Sequence, residues 1–227
     1  MPDSRPQPPD WKPLADPSTL ELPPGSTVLI AGPEPPARHG VGLRVLCQNG
    51  DADETALVVT TLTGSEQTVH DYSRLCNEDL CPSLRLVDTT ADYPSGRRSY
   101  KQRPVVFVPG AEDIERVVMA LSDLTDARSG AGVTRHLLID SLTPVLRTAP
   151  TGSVCRMVSR VADIRSGGGH CLFGLDYTAH SAETMAAVTA HVDGILWVTQ
   201  SEETVALGYR PARRRHPPAH QEAAVDD

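Results

Sequence analysis

The sequence is short of lysine and of long apolar runs. Of its 21 basic side chains only Lys12 and Lys101 are lysines, and the acidic side chains bring the formal net charge to −8. An acidic, lysine-poor composition is typical either of a haloarchaeal, high-salt cytoplasm or of a GC-rich genome. The net negative charge argues against nucleic-acid binding over the surface as a whole.

No apolar run reaches the length of a membrane-spanning helix, and the N-terminus lacks the apolar centre of a signal peptide. We therefore expect no membrane span and a cytoplasmic protein. The odd number of cysteines and their apolar surroundings predict reduced core thiols. Cys76 and Cys81 lie close in sequence without a second ligand pair, so a zinc site is disfavoured and no metal site is predicted. The five cysteines are Cys47, Cys76, Cys81, Cys155 and Cys171.

The length of 227 residues fits one domain with tails. We predict a domain at residues 25–210, a disordered Pro-rich lead-in at 1–24 and a disordered tail at 211–227. Short apolar runs alternate with helical patterns, which predicts an α/β fold: a mostly parallel sheet with helices on both faces and a C-terminal hairpin. The polar segment 91–103 is predicted to be a surface loop.

The stretch that organises the chain is residues 26–49, STVLIAGPEPPARHGVGLRVLCQN. Its pattern predicts a buried strand, a tight loop and a helix, the arrangement that binds phosphate in P-loop proteins. When the pattern G-x-x-x-x-G-K-[ST] is started at Gly32, Ala37 replaces the second glycine, Arg38 the lysine and His39 the hydroxyl residue. The motif therefore fails as a pattern but keeps its place between strand and helix.

The composition of this loop opposes phosphate binding. Pro33, Pro35 and Pro36 have no N–H to donate, and Glu34 adds negative charge. The arginine can still pair with a phosphate through two hydrogen bonds, whereas histidine is a poor ligand for magnesium. A connection that binds nothing is favoured over a working nucleotide site.

A second motif is HLLIDS at residues 136–141, in which His136 and three apolar residues precede Asp140 and Ser141. In P-loop proteins an aspartate at this place, the Walker B residue, reaches the magnesium shell. The alternative is a turn or helix cap. Ser141 lacks a nucleophile-elbow motif. Farther on, a helix N-terminus capped by Ser181 is favoured over a catalytic pair of Asp176 and His180.

The chain resembles the RecA/KaiC-like ATPase core, in the KaiC/RadA-related archaeal branch. The resemblance covers residues 25–210 and rests on four segments: VLIAGP at 28–33, ALVVTT at 56–61, HLLIDSLTPVLR at 136–147 and AHVDGILWV at 190–198. It implies a P-loop NTPase core in which the first strand lies beside the strand ending in Asp140. The loop and that carboxylate would share a crevice at the carboxyl ends of the strands.

The resemblance also implies a vestigial nucleotide site. Its residues are Gly32, Ala37, Arg38, His39, Gly40, Asp140 and Ser141. The family's catalytic glutamate corresponds to Thr61 or Leu62, so no catalytic residue is assigned. Hydrolysis needs positioned charge stabilisation, which these residues do not assemble. The expected cofactor is none, with ATP and Mg as the alternative.

We favour a regulatory or interaction function without ATP hydrolysis. The expected partner is another protein, and a homo-oligomer is compatible with this function. The first alternative is a weakly active ATP-binding protein or ATPase that uses Arg38. The second is a DNA recombination or repair accessory, since nucleic acid is expected to bind only through Arg213, Arg214 and Arg215.

Overall fold

The computed structural model describes residues 20–33, 37–76, 80–91, 96–100, 103–126, 132–200 and 205–212. Within these ranges nine strands form one sheet. The strands are β1 Thr27–Gly32, β2 Thr55–Thr60, β3 Ser83–Asp88, β4 Gly96–Tyr100, β5 Arg103–Phe107, β6 Arg135–Ile139, β7 Cys171–Asp176, β8 Gly194–Gln200 and β9 Val205–Pro211. The α-helices are α1 Ala37–Gln48, α2 Ser65–Leu75, α3 Ile114–Asp126, α4 Thr143–Thr148, α5 Thr151–Ile164 and α6 Ala182–Thr189.

The sheet has the strand order β4-β5-β3-β2-β6-β7-β1-β8-β9. Every neighbouring pair from β5 to β8 is parallel, and the outermost pairs at either edge are antiparallel. The prediction of an α/β fold with a mostly parallel sheet is therefore confirmed, as is the C-terminal hairpin of β8 and β9.

The central strands are buried along their whole length, which explains why they read as unbroken apolar runs rather than as alternating ones. All six residues of β1, β2 and β7 are buried. One apolar cluster packs α3, α5 and α6 against one face of the sheet. A second cluster packs α1 and α2 against the other face. Helices thus cover both faces, as predicted.

Two expectations about local arrangement are wrong. The segment 91–103, predicted to be a loop, contains β4, which pairs with β5. An edge strand is held by backbone hydrogen bonds and needs no apolar side chains, so its sequence carries little signal. The strand that ends before Asp140 does not lie beside β1, because β7 pairs with both and separates them. Strand order depends on how the crossover helices pack, which a strand's own residues do not encode.

The end of the predicted lead-in packs on the domain. Leu20 and Leu22 are buried in the cluster beneath α1 and α2, and the Leu22 N–H donates to Asn49 Oδ1 at 3.3 Å. Residues 1–19 and 213–227, which include the rest of the lead-in and Arg213, Arg214 and Arg215, lie outside the described residues. None of the helices described is both long and apolar enough to cross a membrane.

Candidate functional site

The candidate site lies at the carboxyl ends of β1, β6 and β7, where parallel sheets commonly bind ligands. The start of α1 reaches it from β1, and Asp140 and Ser141 reach it from β6. The two segments meet, because Arg38 Nη2 donates to Ser141 Oγ at 3.2 Å. The start of α1 and the Asp140-Ser141 pair therefore share one crevice.

Arg38 is turned into the protein rather than toward solvent. Its side chain is only 2% exposed. Besides Ser141, it contacts the end of β1, where Nη1 donates to the Gly32 carbonyl at 3.0 Å. A guanidinium used in this way stabilises the protein's own β1–α1 connection.

Asp140 is saturated by the loop after β2. Its Oδ1 accepts from the Thr61 N–H at 2.7 Å and from Thr61 Oγ1 at 2.6 Å. The Thr61 hydroxyl also lies 2.7 Å from the Ser141 carbonyl. We assign its single proton to Asp140, because the ionised carboxylate is the nearer and stronger acceptor. Its Oδ2 accepts from the N–H groups of Leu62 at 3.2 Å and Thr63 at 3.0 Å. An ionised carboxylate offers about four lone-pair sites, so these four donors leave none for a metal ion.

Other strands of the sheet end in the same way. Asp88, at the end of β3, accepts from Ser65 N–H and from both donors of Thr90. Burial opposes ionisation of Asp88, but the hydrogen bonds from Ser65 and Thr90 outweigh it and lower its pKa. Asp176, at the end of β7, accepts from Thr178 N–H and Oγ1 through its Oδ1. The turn role that was the alternative for Asp140 is thus what the geometry shows for all three aspartates.

His39 is buried beside this cluster, with 5% of its surface exposed. Neither of its ring nitrogens has a hydrogen-bond partner within the described part of the chain. Burial lowers the pKa of His39, although the negative charges of Asp140 and Asp71 act to raise it. A neutral imidazole without a hydrogen-bond partner packs as a flat, mostly apolar side chain. It stands in the position where a magnesium-binding hydroxyl would be required.

The remaining polar groups of the crevice bind one another. Ser141 Oγ accepts from the Thr143 N–H at 3.2 Å as well as from Arg38, which leaves it poorly placed to act as a nucleophile. His180 Nε2 lies 3.2 Å from Thr143 Oγ1, and Thr143 Oγ1 accepts from the Asp176 N–H. Burial lowers the pKa of His180, while Asp176 acts in the opposite direction. Thr143 therefore links His180 to the end of β7.

Two nearby helices, α6 and α2, are capped in different ways. Ser181 caps α6, because its side chain accepts from the Thr184 N–H. The N-cap of α2 is Gly64, which makes no side-chain cap bond. The Ser65 N–H is satisfied instead by Asp88, a residue far away in sequence.

The two glycines of the predicted phosphate loop differ in their surroundings. A Cβ added at Gly32 would lie 2.9 Å from Val198 Cβ, whereas one added at Gly40 would meet nothing within 4 Å. Gly32 is therefore required by the close packing of β1 against β8. Glu34, Pro35 and Pro36 lie outside the described residues, and Ala37 begins α1.

A histidine network at the opposite end of the sheet was not expected from sequence. His136 Nε2 lies 2.7 Å from Glu54 Oε2, and His136 Nδ1 accepts from the His170 N–H. His136 therefore carries its proton on Nε2 and donates to Glu54. His170 Nδ1 in turn lies 3.2 Å from Ser26 Oγ. The network joins the amino ends of β1, β6 and β7. The spacing of these histidines in the sequence did not indicate that they would meet.

The expectation of uniformly reduced cysteines is also wrong. Cys76 and Cys81 form a disulfide with their Cα atoms 5.9 Å apart. Cys47, Cys155 and Cys171 are free. The pairing follows from the way the chain returns from α2 to β3, which brings the two cysteines to bonding distance.

The fold and the crevice define an α/β protein with a mostly parallel sheet, in which Asp140, Ser141 and Arg38 bind other groups of the protein. A family model matches residues 25–198, and the chain belongs to that family, the family of unknown function DUF7504. In fold it is similar to an uncharacterized protein from Pyrococcus horikoshii, crystallised in complex with an unknown peptide. The TM-score is 0.58 at 14% identity over 86% of each chain. A search of curated proteins found no match.

Proposed function

We propose that the protein is a degenerate RecA/KaiC-like domain that hydrolyses no ATP and acts in the cytoplasm as a regulatory or interaction protein. The observation that carries this proposal is the saturation of Asp140. Magnesium binds oxygen ligands, and each Asp140 oxygen already accepts two protein donors from the loop after β2. To bind a metal, Asp140 would first have to release this loop.

Arg38 supports the same conclusion from the other side of the crevice. A lysine in a working phosphate loop reaches out to the nucleotide. Here the guanidinium turns back onto Gly32 and Ser141. Phosphate binding would have to break these buried contacts, and His39 would supply no hydroxyl for the metal. The residues present therefore do not fit a magnesium–nucleotide complex.

An interaction role needs a surface for a partner. The described sheet ends in β4 on one edge and in β9 on the other. Edge strands offer backbone groups to which an added strand can bind, from another protein or from a second copy of this chain. The unknown peptide bound to the structural neighbour makes peptides the first class of partner to test. Light scattering coupled to gel filtration would measure self-association.

The nucleotide part of the proposal is tested by thermal unfolding in high-salt buffer with increasing Mg-ATP. Saturation at about 100 times Kd would stabilise the fold by about 2.7 kcal/mol, or roughly 5–10 °C for a chain of this size. We expect no shift. A saturable shift that is abolished by Arg38→Ala would establish the alternative of an ATP-binding protein.

A second variant separates the loop from the rest of the crevice. Replacing Ala37-Arg38-His39 with Gly-Lys-Thr restores the motif letters but leaves Asp140 saturated and the loop prolines in place. We expect this variant to gain little or no affinity. Additional replacement of Glu34, Pro35 and Pro36 with Gly, Ser or Thr should raise the affinity further. A large shift from the triple change alone would show that the prolines do not limit binding.

The DNA alternative is tested on the full chain by fluorescence anisotropy with labelled duplex. Affinity that falls with salt and disappears when Arg213, Arg214 and Arg215 are changed to alanine would favour a recombination accessory. We expect no such binding, since the net charge of −8 opposes it.

A further inference from the structure

Three cysteines from different parts of the chain meet on the face covered by α1 and α2. Cys47 comes from the last turn of α1, Cys76 directly follows α2, and Cys81 precedes β3. Their three Sγ atoms all lie within 4.8 Å of one another. Cys76 and Cys81 are buried and Cys47 is half-buried. Only the packing of α1 against α2 brings Cys47 to the other two.

The surroundings hold this group in place. Tyr72, on α2, is buried and donates its hydroxyl to the Pro82 carbonyl at 2.7 Å, which fixes the residue after Cys81. The Tyr72 hydroxyl also contacts the Cys47 thiol. Arg103 lies over the Tyr72 ring, 5.7 Å from its centroid. The sulfur atoms therefore sit in a packed pocket beside Tyr72.

We propose that Cys47, Cys76 and Cys81 form a zinc site that opens when the Cys76–Cys81 disulfide is reduced. A dithiol reductant supplies two electrons and two protons, leaves as its own disulfide, and yields two thiols. Zn²⁺ then binds the three sulfurs as thiolates and releases their protons to solvent. Oxidation of the two thiolates by a disulfide reverses the sequence and expels the metal.

Both the number of sulfurs and their spacing fit this cation. Sulfurs that share a tetrahedral zinc lie roughly 3.8 Å apart, given Zn–S bonds of about 2.3 Å. Two of the three need only rotate apart after reduction. The described residues add no histidine or carboxylate to the group.

Charge separates zinc from the other common thiolate-bound cation, Cu⁺. Three thiolates with Zn²⁺ carry one net negative charge, whereas three with Cu⁺ carry two. Burial penalises the larger charge more, which favours zinc. Both cations bind soft thiolates, so the test below includes both.

A thiol–disulfide relay within the same three residues is disfavoured. Burial raises the pKa of Cys47 to about 11. The thiolate is the attacking species in such an exchange, and burial disfavours it. A metal supplies its own positive charge and can displace the thiol proton. Zinc affinity should therefore rise steeply with pH.

The test uses the full chain reduced with a phosphine, stripped of metal and mixed with Zn²⁺, then passed through gel filtration. Mass spectrometry of the eluted metal should give one zinc per reduced chain and none for the oxidised chain. A chromophoric chelator measures the affinity by competition. Cys47→Ser should weaken it at least about 100-fold, one ligand's share of a structural zinc site. Cys155→Ser, which removes a free thiol from the opposite face, should leave it unchanged.

Cobalt provides a spectroscopic check, since Co²⁺ in place of zinc should show thiolate charge-transfer absorption that decreases in Cys47→Ser. Three results would overturn the site: no zinc on the reduced chain, equal zinc on the oxidised chain, or zinc binding that Cys47→Ser does not alter. Retention of Cu⁺ without retention of Zn²⁺ would overturn the zinc assignment. The oxidised wild type serves as a folded control that carries no substitution.

Discussion

Changing Asp140 to asparagine tests whether this residue acts as a structural anchor. Asparagine keeps one acceptor oxygen, which can remain with the two donors of Thr61. Its amide nitrogen would then face the N–H groups of Leu62 and Thr63, which lose their acceptor. Loss of a hydrogen bond to a charged group costs up to about 3 kcal/mol when buried, and less where water can replace it. The loop is partly exposed, so we expect a total loss of about 2–3 kcal/mol.

Urea denaturation measures this loss, with equal m values required for a valid comparison. The matched control is Asp176→Asn. Both donors of Thr178 bind the same oxygen of Asp176, and asparagine can keep that oxygen. The control should therefore lose about 1 kcal/mol or less. In thermal unfolding the Asp140 variant should melt roughly 5–10 °C lower.

The opposite result has a clear meaning. A residue kept for binding a metal often lowers the stability of the metal-free protein, so its replacement is neutral or stabilising. If Asp140→Asn unfolds at the same or a higher urea concentration than wild type, the anchor role is refuted. Equal losses in the two variants would show that the four-donor arrangement has no special weight.

Three further predictions concern packing and pH. Gly32→Ala should destabilise the fold by about 1–3 kcal/mol, because the added methyl group would collide with Val198. Gly40→Ala meets no neighbour and should stabilise α1 by about 0.5–1 kcal/mol. Equal effects of the two substitutions in urea denaturation would contradict the packing argument. Arg38→Met should destabilise by about 2 kcal/mol, because it leaves buried acceptors unsatisfied, and no loss in calorimetry would refute this. Burial lowers the pKa of His170 from 6.5 to about 4, so the unfolded chain binds more protons between those values and stability falls as pH decreases through that range. His170→Gln should flatten this dependence in pH-resolved melting, and an unchanged slope would disprove it.

The prediction of the fold class succeeded because the information is local. A run such as residues 56–60 is apolar on both faces, which is required of a strand buried beneath helices on both sides. Helix α3 is likewise predictable, because its apolar residues Val117, Val118, Leu121 and Leu124 recur at helical spacing on one face. The sequence missed β4, because an edge strand is defined by its backbone partner. It also misplaced β1 relative to β6, because neighbours in a sheet are chosen by distant packing.

The candidate site shows the same division. The sequence alone established that the loop after β1 lacks the lysine and hydroxyl of a phosphate loop, and that Asp140 ends a buried strand. It could not establish what Asp140 binds, because the donors Thr61, Leu62 and Thr63 precede Asp140 by 79, 78 and 77 positions in the chain. The inward turn of Arg38 toward Ser141 was equally hidden, at a separation of 103 residues.

Residue chemistry therefore decided what this chain is unable to assemble, while the tertiary structure decided how its polar groups are used. The absence of an N–H or hydroxyl group is a property of one residue, so the sequence shows it directly. A hydrogen bond, a disulfide or a cluster of three sulfurs needs two or more segments to arrive at one place. Cys47 is an example, because its position beside Cys76 and Cys81 depends on the packing of α1 against α2. Such long-range packing places side chains to within ångströms, and no local pattern in the sequence records it.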